Sequence, residues 1–226
     1  MQSDNAREMI LREKLIAIIR GVRTAHIVAT AQALCRSGIV LAEVTLDHTT
    51  EATRDEALQS ISLLAKELGG SMLVGAGTVL TAEQARRAIE AGARYIVSPD
   101  TNPDVIRQAK ALGALSLPGA FTPTEVAAAR AAGADFVKLF PAGALGSEYI
   151  RAIRAPLSHI PLIAVGGVDV GNIAAFLRAG VVGFGIGSNL VDKRLVKEGR
   201  FGEIESLGRS FVRAVRDASS AEEATS

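Results

Sequence analysis

One junction recurs along this chain: a helical stretch ends, a glycine follows, and a run of apolar residues begins. It reads "RSGIVLAEV", "EAGARYIVS", "ALGALSLPG", "AAGADFVKL" and "RAGVVGFGI". Glycine suits the left-handed position just past a helix C-terminus. A short apolar run after such a signal reads as a strand buried on both faces. Eight segments of this kind are found: "LIAIIRG" (15–21), "VLAEVTL" (40–46), "SMLVGAGTV" (71–79), "RYIVSPD" (94–100), "ALSLPGA" (114–120), "FVKLFPA" (136–142), "PLIAVGGV" (161–168) and "VGFGIGS" (182–188). Between them lie alanine-rich stretches with helical spacing, such as "TAEQARRAIEAG" (81–92) and "TPTEVAAARAAG" (122–133), opened by threonine caps. Eight alternating βα units predict a (β/α)8 barrel. An open doubly wound sheet satisfies the same alternation. No Pro/Ser-rich linker divides the chain, so residues 1–226 are expected to form a single domain. A short helix should precede the first strand, and the small polar tail "DASSAEEATS" is expected to be disordered from about 217.

Composition matters here mainly for what it excludes. The formal net charge is +1 and the basic residues are dispersed, which gives no electrostatic reason to expect nucleic acid or an anionic membrane as partner. No apolar run reaches the roughly 18 residues of a membrane span, and the start "MQSDNAREMILREKL" has no signal-peptide core. A cytoplasmic location is the expectation. Cys35 stands alone, and His26, His48 and His159 are scattered, so neither a disulfide nor a metal site is expected. "GAGTVLT" lacks the full dinucleotide fingerprint, which argues against a nicotinamide cofactor.

Barrel active sites gather at the C-terminal ends of the strands, and the unusual residues of this chain gather there too. Arg20 ends the first strand, Glu43 and Thr45 lie in the second, and Thr78 ends the third. Pro99 and Pro118 end the fourth and fifth. Lys138 sits inside the sixth, Gly166 and Gly167 end the seventh, and Gly187 and Ser188 end the eighth. Strand alternation places Phe136, Lys138 and Phe140 on one face and Val137 and Leu139 on the other. Lys138 then points into the barrel. It is either half of a structural ion pair or an amine kept neutral by burial and by a nearby cation such as Arg20, able to attack a ketone and form an imine. Glu43 is its natural proton partner, or its structural counter-ion. The glycines of "AVGGVD" and "GIGSNL" are either tight turns or a phosphate cradle.

Together "EVTL", "GAGTVL", "SPD", "FVKLFPA", "VGGV" and "GIGS" resemble the class I 2-keto-3-deoxy-6-phosphogluconate/4-hydroxy-2-oxoglutarate aldolases, over roughly residues 10–215. The resemblance implies a (β/α)8 barrel, a covalent imine on Lys138 with no cofactor or metal, a 2-oxo acid substrate, pyruvate as one product, and commonly a homotrimer. It makes Glu43 the catalytic acid–base. It also assigns substrate contacts to Thr78, Pro99, Phe140, Gly166, Gly167 and Ser188. The gluconate branch usually carries an arginine after "EVTL"; this chain has Asp47, which is expected to repel an anionic substrate at the pocket mouth. "LIAIIRG" and "AVGGV" look closer to the 6-phosphogalactonate branch, in which Arg20 could supply the missing positive charge. A phosphosugar isomerase or epimerase on the same barrel, and a non-catalytic phosphosugar-binding protein, are the alternatives.

Overall fold

In a computed structural model, which describes residues 3–223, helix α1 (Ser3–Glu13) leads into an alternation of strands and helices. The strands are β1 (Leu15–Ile19), β2 (Leu41–Thr45), β3 (Leu73–Gly77), β4 (Tyr95–Val97), β5 (Leu115–Leu117), β6 (Gly119–Ala120), β7 (Val137–Leu139), β8 (Leu162–Val165) and β9 (Gly183–Ile186). The helices between them are α2 (Thr24–Ser37), α3 (Glu51–Leu68), α4 (Ala82–Glu90), α5 (Pro103–Ala111), α6 (Pro123–Ala131), α7 (Ala142–Arg154) and α8 (Ile173–Arg178). After β9 come α9 (Lys193–Lys197) and α10 (Phe201–Glu223).

Every strand pairing is parallel, in the order β5-β4-β3-β2-β1-β9-β8-β7-β6. The two ends of that order are one chain segment. β5 and β6 are halves of the fifth expected strand, broken at Pro118, which has no N–H to give to a ladder. Across the break, Asp135 N–H donates to Ser116 O at 3.0 Å and Lys138 N–H to Pro118 O at 2.9 Å. The ring therefore closes, and the open-sheet alternative is set aside.

The strand periodicity sorts the side chains into two apolar layers. Ala17, Ile19, Val44, Ala76, Ile96, Val137, Leu139, Ala164 and Ile186 pack outward against the helices. Ile16, Ile18, Leu41, Leu73, Tyr95, Val97, Leu115, Phe136, Ile163 and Val165 fill the barrel interior. Ala6 and Ile10 of α1 belong to that inner layer, and the Arg7 guanidinium lies 5.6 Å from the Phe136 ring centroid, so α1 packs onto the barrel interior. Helix starts follow local chemistry: Thr50, Thr81 and Thr122 each accept a backbone N–H from the residue three positions on. The strand expected at 94–100 is confined to Tyr95–Val97; the Ser98 N–H still donates to Leu117 O at 3.3 Å, and Pro99, which has no N–H for the ladder, lines the barrel mouth.

The chain end differs from expectation. The stretch read as disordered from about 217 continues α10 as far as Glu223, and the remainder lies outside the described residues. Phe211 and Val215 are buried along this helix, and Ala218 packs against the same core. A polar composition hid an amphipathic face that continues past residue 217.

Gly75 marks a close approach within the inner layer, since a Cβ there would overlap the Tyr95 ring. Gly75→Ala should destabilise the fold by about 1–3 kcal/mol in urea unfolding, the usual cost of overpacking. The same substitution should cost less in a Tyr95→Leu background, where the ring is gone.

Candidate active site

At the C-terminal end of the barrel the inner layer stops being apolar. Lys138 projects inward from the middle of β7, with Phe136 before it in the inner layer and Val137 and Leu139 in the outer one. It is 8% exposed. Glu43 projects inward from β2 and is 3% exposed. A Cβ on Gly77 would collide with the Glu43 carboxylate, so glycine at that point of β3 is what gives the acid its space. Glycine at Gly75, two residues earlier on the same face, makes room for Tyr95, whose hydroxyl is buried without a hydrogen-bond partner in the vicinity of Glu43.

Burial sets the ionisation of both groups. Desolvation lowers the Lys138 pKa; the Glu43 charge works against that, and Arg20 adds to it. Desolvation raises the Glu43 pKa, with Lys138 and Arg20 opposing. Neither side chain forms a salt bridge or side-chain hydrogen bond among the described residues. A structural ion pair would close up to contact distance, because two buried charges offset their desolvation only in good mutual geometry. These two remain apart, each shifted toward its neutral form. Perturbed, unpaired groups of this kind in a cavity mark a functional site.

The cavity above them is about 690 Å³. Of the residues expected from sequence, Arg20, Thr78, Pro99, Lys138, Phe140, Gly166 and Ser188 line it. Glu43 is not among the lining residues, although its charge and that of Lys138 act on each other, and Gly167 packs on Gly143. Lys138 Nζ is 5.2 Å from the Phe140 ring centroid, and Phe140 is 45% exposed at the rim. Thr78 has φ of 57°, a strained conformation for a β-branched residue. His48 holds it there: His48 Nε2 donates to the acceptor-only carbonyl of Thr78 at 2.7 Å. Gly166 and Gly167 have φ of 83° and 71°. Their loop threads between the Phe140 ring and Gly143, whose N–H donates to Gly166 O at 2.7 Å.

One expectation fails. Asp47 is not on this wall. It lines a separate depression with Gly21, Arg23, Thr53 and Glu56, and its Oδ1 accepts the Thr49 N–H at 2.8 Å. The hydrogen bonds with Thr49 hold its carboxyl below the usual range. The carboxylate is thus held on the turn that enters α3, away from the residues that line the cavity, and the expected place at the pocket mouth is not where it lies. Conversely, Asp192 and Lys193 line the cavity and were not foreseen. They follow the last strand by several residues in "NLVDKRL", where neither a glycine nor a strand end draws attention. Among the described residues no three His, Cys, Asp or Glu side chains group to hold a metal ion.

A family model described as KDPG and KHG aldolase matches residues 7–207. The chain belongs to that aldolase family. The aldolases of this family are carbon–carbon lyases, and so is this chain. It is 40% identical over 181 residues to a Rhizobium meliloti protein named "Probable 2-dehydro-3-deoxy-6-phosphogalactonate aldolase", covering 80% of this chain and 82% of that one. It is 36% identical over 205 residues to the 2-dehydro-3-deoxy-6-phosphogalactonate aldolase of Escherichia coli, covering 90% and 95%. The solved structure of KDPG aldolase from Legionella pneumophila, with pyruvate captured as a covalent carbinolamine intermediate, superposes with a TM-score of 0.82 at 25% identity, covering 93% and 98%.

Coupling between these two buried groups gives a directional test. The Glu43 carboxylate raises the Lys138 pKa, so Glu43→Gln should lower it further. The neutral amine is the reactive form. The pH–rate curve for modification of Lys138 by an amine-directed reagent should therefore have its midpoint below that of an ordinary lysine in the wild type, and lower still in Glu43→Gln.

Proposed function

We propose that Lys138 is the imine-forming residue and Glu43 the proton carrier of a class I aldolase acting on a 2-keto-3-deoxy-6-phospho sugar acid, the galactonate-derived one first among them. The observation that carries this is a buried lysine on the wall of a cavity that also collects Arg20, Thr78, Gly166 and Ser188, with a buried acid near enough for the two charges to act on each other but no contact ion pair between them. Two relatives named for the 6-phosphogalactonate acid support the branch.

The chemistry follows from the ionisation. The neutral Lys138 amine attacks the ketone carbon C2, and the carbinolamine hydroxyl leaves as water with a proton from Glu43. The resulting protonated imine is an electron sink. The Glu43 carboxylate, directly or through water, takes the proton from the C4 hydroxyl as the C3–C4 bond breaks. The C3–C4 bonding pair becomes the C2–C3 double bond, the C=N π pair moves onto the nitrogen, and the aldehyde departs with the C4 oxygen as its carbonyl. The enamine takes a proton at C3, and water hydrolyses the pyruvyl imine to free the amine. Arg20 and Thr78 orient the carboxylate. Pro99 and Phe140 form the wall, and the Gly166–Gly167 loop with Ser188 receives the phosphate. No cofactor or metal is needed for these steps. A homotrimer in the cytoplasm is the setting the family suggests.

Lys138→Ala should abolish turnover, and Lys138→Arg should not restore it, since a guanidinium stays protonated. Borohydride reduction with pyruvate should give a single adduct, on a peptide containing Lys138; an adduct on another lysine would overturn the assignment. Glu43→Gln should lower kcat by about 10²–10⁴ with a smaller change in KM. EDTA should leave activity unchanged. Pyruvate release from a panel of 2-keto-3-deoxy acids, with and without the 6-phosphate, would rank the substrates; a preference for the gluconate epimer would contradict the branch assignment.

A further inference from the structure

The cavity wall carries a cation that the reaction above does not use. Lys193 lies at the start of α9, on the loop after β9, and lines the cavity together with Gly187 and Ser188. Among the described residues it has no salt bridge and no side-chain hydrogen bond. Its neighbour Asp192 also lines the cavity, but Asp192 Oδ1 accepts the Arg194 N–H at 2.7 Å and so is engaged in capping α9. The lysine stem runs across to the loop after β1. A Cβ on Gly21 would stand 2.7 Å from Lys193 Nζ and 3.0 Å from Cε, and Gly21 itself has φ of 63°. A residue with a side chain at 21 would displace the ammonium from this path. The positive charge is thus laid over the β1 loop beside Arg20, on the β9 side of the mouth, two strands along the ring from Lys138 on β7.

We propose that Lys193 is a specificity-determining residue: it supplies the counter-charge for a phosphate at the end of the substrate remote from the reacting ketone. The inference rests on the aldol site assigned above and names what discriminates phosphorylated from unphosphorylated acids there. Ser188 offers a hydroxyl from the same wall, and the ammonium adds a point charge that suits a phosphate dianion. In the absence of substrate that charge is open to solvent and stabilises little. A bound phosphate excludes water from it, and the attraction strengthens.

Two readouts test this. The first is the ratio of kcat/KM for a 6-phosphorylated 2-keto-3-deoxy acid to that for its unphosphorylated counterpart. Lys193→Ala should lower the ratio about ten- to hundredfold, the range for a lost hydrogen bond to a charged group. Lys193→Arg should keep most of it. Lys197→Ala, which removes an exposed lysine outside the cavity wall, should leave it unchanged. The second readout is binding of inorganic phosphate by calorimetry, which needs no turnover and should weaken by a similar factor in Lys193→Ala only. An unchanged ratio with unchanged phosphate binding would overturn the proposal, as would an equal loss in Lys197→Ala, which would mean general surface charge. A wild type that binds phosphate through Lys193 but forms no pyruvate adduct at Lys138 would overturn the aldolase assignment and leave Lys193 as an anion site.

Discussion

The interaction on which this structure turns is one that is withheld. A lysine and a glutamate lie within the same dry layer of a barrel, each 8% exposed or less, and they do not close into a salt bridge. Contact would satisfy both charges and silence both groups. Separation leaves desolvation as the largest influence on each, which moves Lys138 toward the free amine and Glu43 toward the free acid. Those are the forms that imine formation needs: a nucleophile with a lone pair, and an acid able to protonate a departing hydroxyl. The two groups also oppose each other's shift through space.

Much of the remaining architecture maintains that separation. β2 and β7 lie on opposite parts of the ring, joined through β1, β9 and β8, so the barrel fixes the span between Glu43 and Lys138. Gly77 gives the carboxylate room where any side chain would press it away, and Tyr95 and the inner aliphatic residues keep water from below. Above, loops with demanding backbone geometry shape the cavity: Thr78, pinned by His48, and the Gly166–Gly167 pair threaded past Phe140 and Gly143. Strain of this kind persists only where surrounding contacts over-determine it. Here those contacts are a histidine hydrogen bond at 2.7 Å and a backbone hydrogen bond of the same length.

The strand count, the order of elements and the inward direction of Lys138 were all legible in sequence, because period-2 patterning and the glycine junctions are local signals. Val137 and Leu139 lie in the outer layer and Phe136 in the inner one, as alternation requires. What failed involved direction after a strand has ended. Asp47 is two residues past Thr45, the last residue of β2, where alternation no longer applies, and a hydrogen bond to the Thr49 N–H settles its orientation. Lys193 reaches the cavity by crossing from one loop to another over a glycine, a path that no linear pattern encodes. The helical tail past residue 217 was hidden for a similar reason: Ala218 finds its core contact only once α10 is docked.

The central claim is that burial keeps Lys138 available as an amine that becomes covalently joined to the substrate ketone. The most direct measurement is the fate of the ketone oxygen. Imine formation expels that oxygen as water, and hydrolysis replaces it from solvent. Pyruvate labelled with ¹⁸O at C2 should lose its label to unlabelled water in the presence of the wild-type protein, at least as fast as the aldol reaction turns over, and only at the background rate with Lys138→Ala. Retention of the label by wild-type protein that still cleaves its substrate would mean that the carbon–carbon bond breaks without an imine, and that the buried lysine serves another purpose.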